Sequence, residues 1–290
     1  MAKLTRALKE ASNVLLGKKT AGRNLTVFPD DTFLVSYPRS GNTWTRFLIG
    51  NLVYQDEPVT FRNVESRIPE IYLFPDRALR RLPRPRILKS HECFDPRYKR
   101  MIYIVRDPRD VAVSYYHYAI KLRWIEPDYP IDQFVPRLVA GEFDVRAGWM
   151  AGWRDHVLSW VSMRGDSDEF LLLRYEELIQ NTEHELERVA RFLGLQPTAE
   201  RLKRAVELSS ADHMRKLEKH QSRDWQLTQK SRQDKPFVRA AKSGNWEQAL
   251  PAASVALIES AWGPAMHSFG YVLSPHLAGK TQASTVTSPS

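Results

Sequence analysis

The sequence predicts an α/β fold: a single doubly wound domain with a central parallel sheet flanked by helices, and a P-loop-like anion-binding loop after the first strand. Three stretches carry the prediction. An apolar run at 32–35, with a strand expected over 33–37, gives way to small and hydroxylated residues and then to an amphipathic stretch at 47–54, with a helix expected over 43–54. Residues 101–105 are continuously apolar over strand length, as in a strand covered on both faces, and Pro108 suits the first turn of the helical pattern behind it. Residues 169–174 repeat the arrangement ahead of Tyr175-Glu176-Glu177-Leu178. Strands alternating with helices imply right-handed crossovers, and ligands of such sheets gather at strand carboxyl ends.

The remaining elements follow in order. Residues 1–24 alternate cations with Leu4, Leu8, Val14 and Leu15, the pattern of a short basic amphipathic helix. Residues 55–85 carry several prolines and no sustained period, which predicts a long surface segment with a short helix near its middle. Residues 86–90 are β-compatible and lead into His91-Glu92, and the helix begun at Pro108 continues to about residue 122. Between 124 and 160 aromatic residues, among them Phe134, Phe143, Trp149 and Trp153, fall in helical patterns. Helices are expected over 182–193, ending at Gly194, over 199–208 and over 252–268. From residue 274 onward Ser, Thr and Pro dominate, as in a disordered tail. The expected organisation is a basic segment at 1–24, one domain at 25–273 and a tail at 274–290.

Hydrophobic content of 42% against 27% charged residues is ordinary globular composition, enough for one large core. Forty-three Lys and Arg against 34 Asp and Glu leave a net charge of +9, which favours anionic ligands without choosing among nucleotides, nucleic acid, acidic glycans or a membrane surface. Residues 201–242 hold twelve of the cations against five acids, so the surplus concentrates toward the carboxyl end. Cys93 is the only cysteine, which rules out an intramolecular disulfide and a CxxC metal site and suits a reducing compartment. No apolar run approaches the roughly 18 residues that span a bilayer, and no signal-peptide pattern opens the chain, so a cytoplasmic location is expected.

The stretch Tyr37-Pro38-Arg39-Ser40-Gly41-Asn42-Thr43-Trp44 reads as strand end, tight turn and helix start. Uncovered backbone N–H groups and the helix dipole there suit a phosphate or sulfate, while Arg39 brings a permanent charge with a bidentate fork. The turn is not a Walker A loop, G-x-x-x-x-G-K-[ST], because it has one glycine and no Lys-Ser/Thr pair. By itself it reads equally as an ordinary strand-to-helix connection. Two further motifs follow it in order: Lys89-Ser90-His91, then Val105-Arg106-Asp107-Pro108-Arg109-Asp110-Val111-Ala112-Val113-Ser114-Tyr115-Tyr116-His117. The ordered set resembles the soluble sulfotransferases that use PAPS (3'-phosphoadenosine 5'-phosphosulfate), and the resemblance extends from about residue 33 to 271.

That resemblance implies roles residue by residue. His91 matches the general base of the family's Lys-Thr-His element, and Lys89 would contact the bridging or sulfuryl oxygens. Arg39 stands where mammalian cytosolic members carry a lysine; it remains charged throughout and so is expected to stabilise the leaving phosphate, with Ser40, Gly41, Asn42 and Thr43 donating from the loop. Arg106 and Ser114 match the pair that holds the 3'-phosphate. Trp44 and Tyr175 would contact the adenine, and Ser209 aligns with a threonine near it, whereas Ala211 stands where an aromatic often stacks. Arg239-Ala240-Ala241 matches the family's Arg-Lys-Gly, keeping the arginine alone, and Gly244-Asn245-Trp246 replaces Gly-Asp-Trp. Part of 124–160 would form an acceptor lid.

The function expected from these assignments is transfer of the sulfuryl group of PAPS to a hydroxyl, or an amine, of a small-molecule or oligosaccharide acceptor. PAP is the product, and neither metal nor nucleic acid is expected to take part. Two other classes fit parts of the sequence: a nucleotide-dependent kinase with an atypical P-loop, and a non-catalytic polyanion-binding module.

Overall fold

The computed structural model describes residues 20–143, 151–239 and 241–274. The basic segment up to residue 19, Trp149, Ala240 and the tail from 275 lie outside the described residues.

Four strands, β1 (Thr32–Ser36), β2 (Ile87–Ser90), β3 (Arg100–Val105) and β4 (Phe170–Arg174), form one sheet in the order β2-β1-β3-β4, with every pairing parallel. The ladders place Val35 beside Ser90, Ser36 beside Ile104, and Val105 beside Arg174. All four strands therefore end at the same edge. β1 is buried along its whole length, which explains why it reads as a run of apolar residues rather than an alternation.

Side chains alternate across the sheet with a period of two. Phe33, Val35, Tyr103 and Val105 face a core shared with α4 (Pro108–Lys121), α5 (Ile131–Val139), α6 (Trp153–Arg164) and α12 (Ala252–Ser268). Leu34, Ile102, Ile104 and Leu173 face α1 (Asn42–Val53), α8 (Thr182–Phe192) and α9 (Ala199–Leu208). The domain is thus doubly wound, as expected. The helix bounds at 199–208 and 252–268 coincide with those read from the pattern, and Gly194 takes the left-handed conformation (φ 74°) that ends α8.

The segment at 55–85 differs from its expectation. It holds two short helices, α2 (Val64–Arg67) and α3 (Asp76–Leu79), and it is not a surface segment, since Val59, Phe61, Val64, Ile68, Ile71 and Leu79 are all buried. Phe61 lies 5.0 Å from Phe47 and 4.9 Å from Trp225, inside a third apolar cluster. An irregular backbone needs its carbonyls satisfied when buried. The buried Arg46 guanidinium does this, with Nε donating to Ile68 O at 2.9 Å and Nη2 to Val64 O at 3.3 Å. Also unforeseen is α10 (Ala211–Gln221), a charge-rich helix started by Ser210, whose hydroxyl accepts from the His213 N–H.

Because Phe61 fills space between α1 and the 214–237 region, Phe61→Ala should cost about 3–5 kcal/mol by urea unfolding. A loss under about 1 kcal/mol would restore the surface assignment for this segment.

Candidate functional site

α1 leaves β1 toward one face of the sheet and α4 leaves β3 toward the other, so a crevice opens between the two strand ends. A cavity of about 390 Å³ occupies it. Arg39, Gly41 to Trp44, His91, Arg106, Ser114, Tyr175, Arg239 and Ala241 all reach its wall, bringing the ordered sequence motifs together.

The first loop is fixed by two left-handed residues, Arg39 (φ 70°) and Gly41 (φ 99°). Gly41 is required twice over. A Cβ there would lie 2.4 Å from Cδ2 of Tyr175, in addition to the backbone strain of a positive φ. No acceptor among the described residues meets the N–H groups of Gly41, Asn42, Thr43 or Trp44 at the start of α1. Ser40 Oγ and Asn42 Oδ1 are buried and likewise lack a partner among the described residues. The amides can therefore accept an anion at the positive end of a twelve-residue helix. The Asn42 side chain serves the loop, its Nδ2 donating to Ser36 Oγ at 3.2 Å.

Three guanidinium groups converge beside these amides. Arg39 Nε donates to Ser114 Oγ at 3.2 Å, and its guanidinium lies 4.4 Å from the Tyr118 ring centre and 4.8 Å from that of Phe237. Arg106 donates to Arg39 O at 3.2 Å and Lys242 O at 3.1 Å and stacks 4.2 Å from the Tyr175 ring, leaving its buried Nε without a partner among the described residues. Burial, reinforced by Arg39 and Arg106, pushes Arg239 down to about 10. Burial and the neighbouring Arg106 also pull Arg39 below its ordinary value. Asp110 is 3.9 Å from Arg106, but its oxygens accept from the Gly244 and Trp246 amides at 2.7 and 3.1 Å. Positive charge crowded this way is stabilised by a polyanion.

Among the described residues Asp110 alone comes within ion-pair distance of Arg106, one negative charge beside three guanidiniums. Asp107 is taken by Arg109 at 2.7 Å, and Arg109 also pairs with Glu259 at 2.7 Å and stacks 3.8 Å from Trp246. Within Arg106-Asp107-Pro108-Arg109-Asp110, Arg109 holds the fold, Arg106 faces the cavity, and Asp110 pins the 244–246 turn.

His91 points its ring between two strands, with Nδ1 2.7 Å from Ser36 O. A carbonyl can only accept, so Nδ1 carries the proton and Nε2 carries the lone pair of the neutral ring. Lys89 sits differently from its expected role. Its Nζ donates to Glu70 Oε2 at 2.6 Å, and burial lowers its pKa against the opposing pull of Glu70. Ser209 enters only through its carbonyl, which accepts from Trp44 Nε1 at 2.9 Å; its hydroxyl donates to Ala205 O at 2.7 Å and accepts from Asn51. Trp44 meets Tyr175 edge-on at 5.9 Å. Ala211 lies on the cavity wall. The sequence offers Asp107 and Asp110 as partners of Arg106, and Asp110 is the one that approaches it; the Tyr118 and Phe237 rings around Arg39 were missed, and the sequence held no signal for them.

Ala241 adopts φ 50° without being glycine, a conformation that costs roughly 1 kcal/mol. Ala241→Gly should relieve it and raise stability by up to about 1 kcal/mol in urea unfolding; a lowered midpoint would show that the alanine methyl and the stiffer unfolded chain contribute more than the strain costs. His156 gives a pH signature. Burial pushes it down to about 4, so between the unfolded value near 6.5 and about 4 the unfolded chain binds a proton that the folded chain refuses. Stability should fall by up to roughly 3 kcal/mol as pH drops through that window, and His156→Gln should flatten the decline in urea midpoints; an unchanged slope would assign it to other groups.

Comparison with known proteins agrees with this geometry. The sulfotransferase domain model matches residues 29–270. Sulfotransferase 2B1 of Mus musculus is 30% identical over 82% of this chain and 72% of its own length, and Sulfotransferase 1B1 of Mus musculus is 30% identical over 76% and 77%. Among solved structures, retinol dehydratase in complex with androsterone and the inactive cofactor PAP superposes with a TM-score of 0.71 at 20% identity, covering 87% of this chain and 84% of that one. A domain match of that length, with relatives at this identity over most of the sequence, makes the chain a member of the sulfotransferase family, enzymes that transfer a sulfuryl group.

Proposed function

We propose that this enzyme takes its sulfuryl group from PAPS and delivers it to a hydroxyl of a small-molecule acceptor, with His91 as general base. The observation that carries the reading is the crowding of three guanidiniums and four unmatched amides at one strand edge, next to an imidazole whose lone pair is on Nε2. The same features are a fit test for the nucleotide. Buried Arg106 Nε and Ser40 Oγ lack partners among the described residues, as expected of groups shaped for a bisphosphate. When bound, PAPS supplies an activated sulfuryl group and a good leaving phosphate. The PAP held by the solved retinol dehydratase supports that choice of donor, and its androsterone supports a small hydroxylated acceptor.

Each residue then has a defined task. Arg106, Ser114 and Arg239 hold the 3'-phosphate, and the amides of 41–44, with the Ser40 hydroxyl, hold the 5' end. Trp44 and Tyr175 hold the adenine. Arg39 contacts Ser114 and therefore lies between the two phosphate subsites; being always charged, it acts by electrostatics rather than by giving up a proton. His91 Nε2 receives the acceptor hydroxyl's proton, and the Ser36 carbonyl on Nδ1 favours the imidazolium that results. Lys89 reaches the site only by loosening its bond to Glu70. Neither a kinase nor a binding module gains support, since the loop lacks the Lys-Ser/Thr pair and the imidazole needs an explanation. The single cysteine suits a cytoplasmic location.

His91→Ala should lower transfer of labelled sulfate by at least about 100-fold while the thermal shift on adding PAP persists. Transfer and PAP binding lost together would return His91 to a structural role.

A further inference from the structure

We infer that His156 is a positioning residue for the transfer reaction, fixing the main chain from which the His91 imidazole projects. The inference rests on His91 being the base.

His156 is fully buried on α6, and neither of its ring nitrogens is idle. Nε2 lies 3.1 Å from His91 O and Nδ1 lies 2.8 Å from Tyr103 Oη. Because the His91 carbonyl only accepts, Nε2 must carry the proton. Nδ1 then accepts, so the Tyr103 hydroxyl donates. A neutral imidazole inside a core is costly unless both nitrogens are satisfied, and here each has one complementary partner. Burial keeps His156 neutral, pushed down to about 4, so the donor to His91 is present in the same form throughout the working pH range.

The geometry extends beyond one bond. On the same face of α6, Ser159 Oγ accepts from Phe94 N at 3.1 Å and Trp160 Nε1 donates to Glu92 O at 2.8 Å. Positions 156, 159 and 160 share a helix face by their spacing of three and four. One rigid helix thus fixes the carbonyls of His91 and Glu92 and the amide of Phe94. From the other side, Tyr72 Oη accepts from His91 N at 3.1 Å. The ring itself is anchored on Ser36 of β1, and the His156 chain starts from Tyr103 of β3. In the ladder Val35 pairs with Tyr103 and Ser36 with Ile104, so the two anchors are neighbours whose separation the sheet fixes. His91, although carried by the end of β2, is tied to β1 through its ring and to β3 through His156. A base displaced by about 1 Å can lose on the order of 100-fold in rate.

The experiment compares His156→Gln, His156→Leu and Tyr103→Phe with wild type and His91→Ala, reading kcat, KM for PAPS, and the PAP-induced thermal shift. The Gln amide nitrogen lies at the depth of Nε2 and keeps the donor to His91 O, so its kcat should stay within about threefold of wild type. His156→Leu removes the donor, and kcat should fall about tenfold or more with KM for PAPS and the PAP shift unchanged. Tyr103→Phe removes only the hydroxyl that sets the tautomer and should fall between the two, which settles the matter if the leucine variant does not fold. A kcat for His156→Gln as low as for His156→Leu, a wild-type kcat for His156→Leu, or losses that track the PAP shift would each overturn the inference. Retained transfer in His91→Ala would instead overturn the assignment of the base, a distinct result.

Discussion

The contact between Gly41 and the Tyr175 ring is the constraint on which the site depends. Tyr175 follows directly on β4, the edge strand, yet it reaches across β3 to press on the loop that follows β1, and it can do so only because position 41 carries no side chain. The same ring supports the Arg106 guanidinium at 4.2 Å and meets Trp44 edge-on. One aromatic therefore spaces the amide cradle, the Arg106 guanidinium and the Trp44 ring relative to one another. Sheet register sets where the ring begins, and the left-handed turn at Gly41 sets where the loop lies.

Electrostatics then gives that frame its chemistry. The domain neutralises many of its cations inside the fold: Arg86 pairs with Asp31, Arg109 with Asp107 and Glu259, and Lys89 with Glu70. Buried pairs of this kind contribute modest net stability, because desolvation offsets most of their attraction. The cluster at Arg39, Arg106 and Arg239 is different, since among the described residues Asp110, 3.9 Å from Arg106, is the one carboxylate paired with it and stands against three guanidiniums. Burial, reinforced by the neighbouring cations, lowers the pKa of Arg239 and of His117, which is pushed down to about 4. A bound dianion would lift that repulsion, so part of the binding energy comes from relief of strain already present in the free enzyme.

The sequence disclosed what depends on neighbours in the chain. β1, its turn and α1 form one contiguous signal, as do β3, Pro108 and α4, and the strand-end positions of Arg39, His91, Arg106 and Tyr175 followed from that order. What stayed hidden depends on distant partners. Phe61 looks like a loop residue until Trp225 and Phe47 are placed around it, and α10 looks like a solvated charge run until Met214 is seen to be buried. Ser209 was assigned to the adenine by alignment, but its hydroxyl is consumed by Ala205 and Asn51. The motif begun at Arg239 was the least legible, since the Arg239 carbonyl accepts from Arg215 and the residues that follow, Lys242 and Gly244, are held by Arg106 and Asp110, partners that the local sequence does not name.

Arginine at position 39 follows from the same long-range packing. A lysine ammonium is a compact, strongly hydrated charge, whereas a guanidinium is planar and weakly hydrated and can lie against aromatic rings. Here the planar group sits near both Tyr118 and Phe237 while Nε still reaches Ser114. Such contacts are worth roughly 0.5–2 kcal/mol each, comparable with a hydrogen bond, so the rings compete with any incoming phosphate for the side chain's position. Phe237 also packs edge-on to Trp225 within the third apolar cluster, which ties the resting place of Arg39 to the packing of Phe61. The cation of the first motif and the buried segment that looked like surface are therefore parts of one structure, and a change in that cluster would reach the candidate site through the aromatic wall around Arg39.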